Sequence, residues 1–373
     1  MAEKFSLKDH LFNEQTVGQL AAEYAAGVAG FDAQRFSHEA LAGFPERELM
    51  ARMDWMADCL ERQLARDFST MADQLQSALA DPLDPTLTDD DFGHFIHATP
   101  GILAVRHGLE NHRSRAMTLL HQATQRFSME FYIRAFINRW PEETLAQLVQ
   151  WATDENYHVR RLVSEGTRPR LPWAQNVRLT PEQTFPLLDM LHADPTRFVT
   201  RSVANHLNDL SKIVPDAVLD RLARWHRQGK QQQAELAWMR RHALRTLIKQ
   251  GHEGAMAALG YRADAPVSAE IFLADTTVKM GETLAFEVTL NSAENVPVLI
   301  DYRIDFMRAG GKRSEKVFKL KAAELHAGKS LKVKKAHRFK GDATTFTLYE
   351  GAHRIIVQVN GRDVTEAAFE LTG

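Results

Sequence analysis

The sequence has little cysteine: Cys59 is the single cysteine among 373 residues. One thiol cannot form an intramolecular disulfide or a multi-cysteine metal site, so we expect a reducing, cytoplasmic compartment. Residues 1–30 lack the basic start and the apolar core of a signal peptide. No uninterrupted apolar run is long enough to span a bilayer, so no membrane association is expected.

Familiar motifs for metal, phosphate and serine chemistry are also missing. The 16 histidines are scattered, and the stretch HEGAM at 252–256 lacks the second histidine of a zinc-protease helix. There is no Gly-x-Ser-x-Gly elbow, and no glycine-rich phosphate loop follows a strand. We therefore expect neither a metal nor a cofactor, and any chemistry would rely on carboxylates.

The composition is ordinary for a folded protein, with 44% hydrophobic and 25% charged residues. The net charge of −2 hides an asymmetry, because residues 1–100 hold 7 Lys/Arg against 18 Asp/Glu. Residues 311–340 hold 11 Lys/Arg against 2 Glu. Such a basic segment indicates either a polyanion-binding surface or lysines that protect the edge of a sheet. Composition alone does not choose between these two interpretations.

What the sequence does contain is a repeat of 40 residues. Pro141 and Pro181 open the matching stretches PEETLAQLVQWATD and PEQTFPLLDMLHAD. A period near 40 with two helices per unit is typical of a HEAT-like solenoid, which forms a concave binding surface. A third unit begins at Pro215. One arginine recurs at the same phase of the three units: Arg161, Arg201 and Arg241.

Apolar residues in these units predict the buried side of the repeat. Trp151 and Trp225 each lie ten residues after the proline that opens their unit, which favours packing in the core. The second helix of each unit carries an apolar stripe at helical spacing. The stripe residues are Val159, Leu162 and Val163 in the first unit and Val199 and Val203 in the second.

The pattern changes near residue 264. From Ala269 onward about seven short alternating segments, the last two of them TTFTLYE (344–350) and HRIIVQVN, are separated by glycines. Strands at this spacing predict an immunoglobulin-like β-sandwich. We therefore predict a multidomain chain, with an all-α HEAT-like repeat domain over residues 1–264 and a β-sandwich over residues 265–373.

Three helical clusters of polar residues are candidates for chemistry. On a solenoid, helices at one repeat phase present these groups to the same concave side. The alternative is a set of exposed ion pairs four residues apart, each worth only a few tenths of a kcal/mol. The clusters are Glu130 with Arg134, then Arg160, Arg161, Glu165, Arg168 and Trp173, and finally Arg201, Asn205, Asp209 and Lys212.

Trp173 follows the stretch RPRLP, where a helix has just ended. It could pack one repeat onto the next, or it could form an aromatic wall against a base or a cation. The residue pattern alone favours packing.

Several long motifs resemble the DNA alkylation repair glycosylases built from HEAT-like repeats, and the AlkC branch more than AlkD. The likeness extends over most of the chain. It rests on LKDHLFNEQTVGQLA, WATDENYHVRRLVSEGTRPRLPW, VTRSVANHLNDLSKIVPDAV and the C-terminal YEGAHRIIVQVNG. Proteins similar to AlkC can carry an immunoglobulin-like domain, as predicted here.

The resemblance implies a glycosylase that excises alkylated bases from double-stranded DNA without full base flipping, with 3-methyladenine the typical lesion and 3-methylcytosine a further candidate. Because no lysine is assigned as a nucleophile, we expect a monofunctional glycosylase without a lyase step. We also expect it to act as a monomer. The resemblance also implies that Glu130 and Glu165 are the active-site carboxylates and that Trp173 lies near the lesion. The DNA cleft would then hold Arg134, Arg160, Arg161, Arg168, Arg201, Asn205, Asp209 and Lys212.

With DNA as the expected ligand, the basic C-terminal segment is predicted to extend the grip on phosphates. Two other functions stay open from the residues themselves. One is a non-catalytic scaffold that recognises DNA lesions or binds a protein, and the other is a peptide-binding adaptor. The predicted phosphate contacts of the sandwich are Lys312, Arg313, Lys332, Lys334 and Lys335.

Overall fold

The computed structural model describes residues 5–89, 91–341 and 346–373. The first part of the described chain is helical, as predicted. Its α-helices are Leu7–Leu11 (α1), Glu14–Gly27 (α2), Ala33–Gly43 (α3), Leu49–Glu61 (α4), Phe68–Ser77 (α5), Thr99–Leu103 (α6), Arg113–Ala123 (α7), Glu130–Arg139 (α8), Pro141–Trp151 (α9), Tyr157–Gly166 (α10), Pro181–Leu191 (α11), Arg197–Leu210 (α12), Pro215–Gln228 (α13), Gln233–Ala243 (α14), Arg245–Lys249 (α15) and Glu253–Ala258 (α16).

The repeat corresponds to successive two-helix units of a HEAT-like solenoid. Helices α9 and α11 both begin at a proline, whose missing N–H is not needed at the first helical position. Helix α10 packs against both α8 and α12, so these three helices form one layer. The predicted stripe is confirmed, since all five of its valine and leucine side chains are buried, and Trp151 and Trp225 are buried as well.

Strands make up most of the C-terminal part of the chain. They are Val267–Leu273 (β1), Thr277–Lys279 (β2), Thr283–Ser292 (β3), Val296–Met307 (β4), Arg313–Leu325 (β5), Leu331–Arg338 (β6), Gly351–Val359 (β7) and Arg362–Thr372 (β8). The predicted strand TTFTLYE is partly wrong, because residues 346–350 are not in a strand. Thr344 and Thr345 lie outside the described residues.

The strands form the predicted sandwich of two sheets. One sheet has the order β1-β3-β6 and the other β2-β8-β7-β4-β5. Alternate residues of β3, such as Leu284, Phe286 and Val288, are buried and pack with Tyr302 and Ile304 of β4. This alternation is the reason that the period-two pattern was visible in the sequence.

The basic segment 311–340 lies on two edge strands, because β5 ends one sheet and β6 ends the other. Their exposed lysines therefore occupy the positions at which lysine discourages pairing with another chain. This placement agrees with the edge-protecting interpretation and is equally compatible with contact to a polyanion.

Two compact units divide the chain. One contains residues up to Ile213 together with Gln228–His242, and the other contains Val214–Arg227 and Ala243–Gly373. The change from helix to strand occurs between Ala258 and Val267, while a domain boundary at 264/265 stays a prediction. In the part of the chain that the structure describes, no helix combines the length and apolar character needed to cross a membrane.

Candidate active site

A cleft of about 640 Å³ opens beside the layer formed by α8, α10 and α12. Three connecting segments complete its walls: residues 92–95, residues 127–128 before α8, and residues 168–173 after α10. Charged, aromatic and small polar side chains line it together. The lining residues are Phe92, Phe95, Phe127, Ser128, Glu130, Phe131, Arg161, Glu165, Arg168, Leu171, Pro172, Trp173, Phe198, Arg201, Ser202 and Asn205.

Arg161 holds the first of the two predicted carboxylates. Its Nη1 donates to Glu130 Oε2 over 2.8 Å and to Ser128 Oγ over 3.0 Å. Ser128 Oγ in turn donates to Glu130 Oε2 over 2.7 Å. Glu130 begins α8, where the partial positive charge of a helix N-terminus also favours a carboxylate. The position of Glu130 is therefore set by its own helix and by a guanidinium from α10.

Glu165 lies on the other side of Arg161 and is only 4% exposed. Arg168 Nη1 donates to its Oε1 over 2.5 Å, and Ser202 Oγ donates to its Oε2 over 2.6 Å. Arg161 Nη2 lies 3.9 Å from Oε2. An exposed ion-pair ladder is therefore the wrong description of Arg161 and Glu165, because both side chains are buried in the cleft wall.

The ion pairs continue from Arg168 to two residues outside the cleft lining, Asp209 and Lys212. Arg168 Nη2 lies 2.8 Å from Asp209 Oδ2, and Lys212 Nζ lies 3.2 Å from Asp209 Oδ1. Opposite charges thus alternate from Glu130 through Glu165 to Lys212. Burial acts to raise the pKa of Glu165, but Arg161, Arg168 and the Ser202 hydroxyl outweigh burial and hold that pKa below its usual value. Glu165 is accordingly a carboxylate at neutral pH.

Phenylalanine rings complete the cleft, and the sequence interpretation missed them. The Arg161 guanidinium lies 4.4 Å from the centre of the Phe198 ring and 5.7 Å from that of Phe92. Phe198 occupies the repeat phase of His158, forty residues earlier, so the repeat offered a signal for it. Phe92 lies in the connection after α5, where no periodicity applies.

Trp173 does not pack one repeat onto the next, so the interpretation favoured by the residue pattern is wrong. Its side chain is 63% exposed at the cleft. Its backbone has φ 64°, in the left-handed region that a bulky residue rarely adopts. Leu171, two residues earlier, is buried and anchors this stretch. Residues with strained backbone conformations cluster at functional sites.

Four residues of the predicted set do not line the cleft: Arg134, Arg160, Asp209 and Lys212. Arg134 is fully buried and donates to the backbone carbonyls of Gly166, Arg168 and Gln175. It therefore supports the chain just after α10, and the spacing of four from Glu130 gave no hint of this role.

Arg160 is held away from the cleft by an acidic partner. Its Nε donates to Asp194 Oδ2 over 2.6 Å, and its Nη1 donates to the carbonyls of Asp154 and Glu155. These contacts join α10 to the turns that precede α10 and α12. The surroundings of Arg160 are explained without DNA.

Arg201 and Asn205 lie where the repeat phase predicted, on the cleft side of α12. Arg201 forms an ion pair with Asp89, from the segment after α5. The Asn205 side-chain oxygen accepts from His242 Nε2 over 2.8 Å. Arg201 and Asn205 thus share the cleft with Arg161 and Glu165, although their partners come from distant parts of the sequence.

The predicted cations of the sandwich lie on or next to its edge strands. Lys332 Nζ lies 3.4 Å from Glu287 Oε1, and Lys334 Nζ lies 3.4 Å from Glu287 Oε2. Arg313 Nη1 donates to the carbonyl of Ala352 over 2.9 Å. Lys312 and Lys335 are exposed. Among the described residues, no group of three or more His, Cys, Asp or Glu side chains is arranged to hold a metal ion.

Two regions of the chain match known protein families. Residues 122–247 match the family described as DNA alkylation repair enzyme. Residues 268–373 match the family described as the C-terminal Ig-like domain of the uncharacterised protein YhaZ. YhaZ of Bacillus subtilis strain 168 is 32% identical over 360 residues, which cover 94% of this chain and 95% of that protein.

A solved structure resembles the whole chain. It is the Pseudomonas fluorescens alkylpurine DNA glycosylase AlkC bound to DNA containing an abasic site analogue. The identity is 33% and the TM-score 0.87, and the match covers 99% of this chain and 100% of that one. The likeness therefore extends across both the helical part and the sandwich.

Proposed function

Because this chain belongs to the AlkC-type family of DNA alkylation repair enzymes, we propose that it is a DNA glycosylase for cationic N3-alkylated bases. The substrates are 3-methyladenine and 3-methylcytosine in double-stranded DNA. The observation that carries the proposal is the pair of carboxylates, Glu130 and Glu165, held on either side of Arg161 in one aromatic-lined cleft.

The chemistry of the substrate suits a site without a strong general acid. A base alkylated at N3 is cationic, so its glycosidic bond is already weakened. The remaining task is to stabilise an oxocarbenium-like sugar and to supply water. A carboxylate about 4 Å from that cation gains ~4 kcal/mol at an effective dielectric constant of about 20. If the gain were confined to the transition state, the rate would rise by about a thousandfold.

The contacts of the two carboxylates suggest different roles. Both oxygens of Glu165 are engaged, by Arg168 and by Ser202, so its position and charge are fixed in advance. We assign Glu165 to stabilise the sugar cation. Glu130 makes both of its described hydrogen bonds through Oε2. We assign its Oε1 to orient the attacking water.

The cleft also bears on how the base is reached and released. The exposed Trp173 side chain at the cleft could lie against the lesion while the base stays largely in the duplex, without the full flipping that most base-modifying enzymes use. No lysine is among the described residues that line the cleft. Because a lyase step needs an amine nucleophile, we propose that water cleaves the glycosidic bond and releases the base without a lyase step.

The sandwich would add affinity through phosphate contacts. Lys312, Arg313, Lys332, Lys334 and Lys335 are the proposed contacts, because cations on exposed strands bind phosphates without regard to sequence. Their contribution would weaken as salt rises. The enzyme would act as a monomer and without a cofactor.

The direct test is to incubate the full chain with duplex DNA containing 3-methyladenine and to measure free base by chromatography. Time-dependent release that saturates with enzyme is the expected result. Binding without release would instead support a lesion-recognition scaffold. Weak binding that does not respond to salt would support a peptide-binding adaptor. A duplex with unmodified adenine at the same position is the matched control.

A further inference from the structure

An acidic segment crosses the N-terminal end of α12. It comprises residues 81–89 and 91–92, between α5 and the turn at Phe95–Ala98, and we refer to it as the acidic strap. The strap contacts α12 at Phe198 and at Arg201: the Phe198 N–H donates to Thr88 O over 2.9 Å, and Asp89 pairs with Arg201. The Phe92 and Phe198 rings pack edge to face, with their centres 5.1 Å apart.

The strap takes the place of a side-chain cap on α12. The first N–H groups of a helix have no partner inside the helix, and α10 meets this need with the Asn156 side chain. Thr196, at the corresponding position of α12, makes no such hydrogen bond. The carbonyl of Thr88 serves the Phe198 N–H instead. The strap is therefore part of how α12 begins.

Contacts elsewhere hold the strap in place. Leu83 N–H donates to Gln125 O over 2.9 Å near its start. Gly93, directly after it, pairs with Phe127 and has φ +70°. A side chain at Gly93 would meet Arg126 O at 1.8 Å, so glycine is required there. These contacts lie on both sides of Asp89 in the sequence, and the Thr88 carbonyl next to it is bound to α12.

Together, the Phe198 N–H and Arg201 are the kinds of groups that proteins use to bind DNA phosphates: a helix N-terminal amide and an arginine on the same helix. In this structure the strap provides an oxygen to each of them. We propose that Asp89 is a specificity-determining residue that competes with a DNA phosphate for Arg201. This inference rests on the proposed DNA glycosylase function.

Competition at Arg201 would improve discrimination between damaged and undamaged DNA. A duplex that enters the cleft far enough to engage Arg201 must displace Asp89, whether or not it carries a lesion. A cationic lesion offsets that cost through Glu130 and Glu165, which lie in the same cleft. Undamaged DNA has no comparable gain. Asp89 therefore disfavours deep engagement of DNA that has nothing to repair.

The test compares full-length Asp89→Asn with full-length Asp84→Asn. Asp84 lies on the same strap, and its carboxylate accepts from Thr86 N–H and Oγ, so it controls for loss of one strap charge. Binding is measured to an undamaged duplex and to a duplex with a cationic abasic mimic. We expect Asp89→Asn to bind the undamaged duplex about threefold to tenfold more tightly. The preference for the mimic falls accordingly.

Two further measurements separate charge from folding and locate the partner. Asp89→Glu keeps the charge and should match the wild type; tightening equal to that of Asp89→Asn would overturn the proposal. In an Arg201→Ala background, Asp89→Asn should have no further effect. Equal behaviour of Asp89→Asn and Asp84→Asn would also overturn it. Failure of the wild type to bind either duplex would refute the proposed function itself.

Discussion

The helical part and the sandwich place charged residues in opposite environments. In the cleft, Glu165 is 4% exposed between Arg161 and Arg168. In the sandwich, the Lys334 side chain is 82% exposed, and its partner Glu287 lies 3.4 Å away on the outer surface. Both regions contain ion pairs, but the Arg161–Glu165 pair is removed from water and the Lys334–Glu287 pair is not.

This difference separates two uses of charge. A buried charge is tolerated only when it is paired and hydrogen-bonded, so its geometry is rigid and suited to chemistry. An exposed charge is screened by salt within about 8–10 Å and contributes little to stability. It can still attract a polyanion from solution. The cleft is therefore expected to determine rate, and the sandwich to determine affinity.

The largest expected effect comes from Glu165→Gln. Loss of the negative charge should lower the rate of base release by about a thousandfold, because the sugar cation loses ~4 kcal/mol of stabilisation. DNA affinity should change little, since the interactions with phosphate remain. Single-turnover release of 3-methyladenine and binding to a duplex with an uncharged abasic mimic measure the two quantities separately.

Glu155→Gln is the control for Glu165→Gln, because Glu155 is an exposed glutamate just before α10. It should release base at the wild-type rate. Full release by Glu165→Gln would remove Glu165 from the mechanism. Equal losses of affinity and rate would assign it to binding instead of chemistry.

The next largest effect concerns Arg134. Its side chain is buried, as those of Arg161 and Glu165 are, but it donates hydrogen bonds to backbone carbonyls and not to a carboxylate. Arg134→Met should lower the free energy of unfolding by about 3–4 kcal/mol, because buried carbonyls lose a charged donor. Denaturant unfolding measures this change. Arg139→Met on the same helix, which removes an exposed pair with Glu110, should cost less than about 1 kcal/mol. Similar costs for both variants would contradict the structural role.

A third prediction concerns pH. Burial, and secondarily Arg168, lower the pKa of His206 from 6.5 to about 4. The unfolded chain therefore takes up a proton below pH 6.5 while the folded chain does not, so stability is complete above pH 6.5 and is lost toward pH 4. The loss attributable to His206 should reach about 2 kcal/mol by pH 5.

Denaturant unfolding between pH 7 and pH 5 checks this loss. His206→Asn should flatten the dependence, whereas His326→Asn, at an exposed turn of the sandwich, should leave it unchanged. An unchanged slope in His206→Asn would show that His206 is not the group responsible.

The smallest expected effect belongs to the sandwich. Replacing Lys332, Lys334 and Lys335 together by serine should weaken DNA binding about tenfold at moderate salt. The slope of log affinity against log salt should fall by about 0.9 for each phosphate that is no longer neutralised. Lys279→Ser, on the edge strand β2, is the control. A change no larger than that of the control would favour the edge-protecting interpretation.

Much of this architecture could be predicted from local patterns. The 40-residue repeat placed Arg161 and Arg201 at one phase, and both line the cleft. Alternation predicted the sandwich, whose inward residues such as Leu284 are buried. These predictions succeeded because helices and strands have fixed periods, so spacing along the chain determines which side chains share a face.

Residues whose neighbours come from elsewhere could not be predicted in this way. Spacing put Arg134 with Glu130, yet Arg134 is buried against carbonyls of the segment after α10. Trp173 followed a helix end and was expected to pack, yet it is exposed with a left-handed backbone. Phe92 lies in a segment with no period at all.

The order of residues was sufficient to establish the repeat, the buried stripe, the sandwich and the face that carries Arg161 with Glu165. Packing between distant segments was needed to establish that Ser202 holds Glu165, that Arg134 supports a turn and that Asp89 meets Arg201. The two kinds of information differ in range. Backbone geometry directs a side chain relative to its own element, whereas its partner depends on which distant element packs against it.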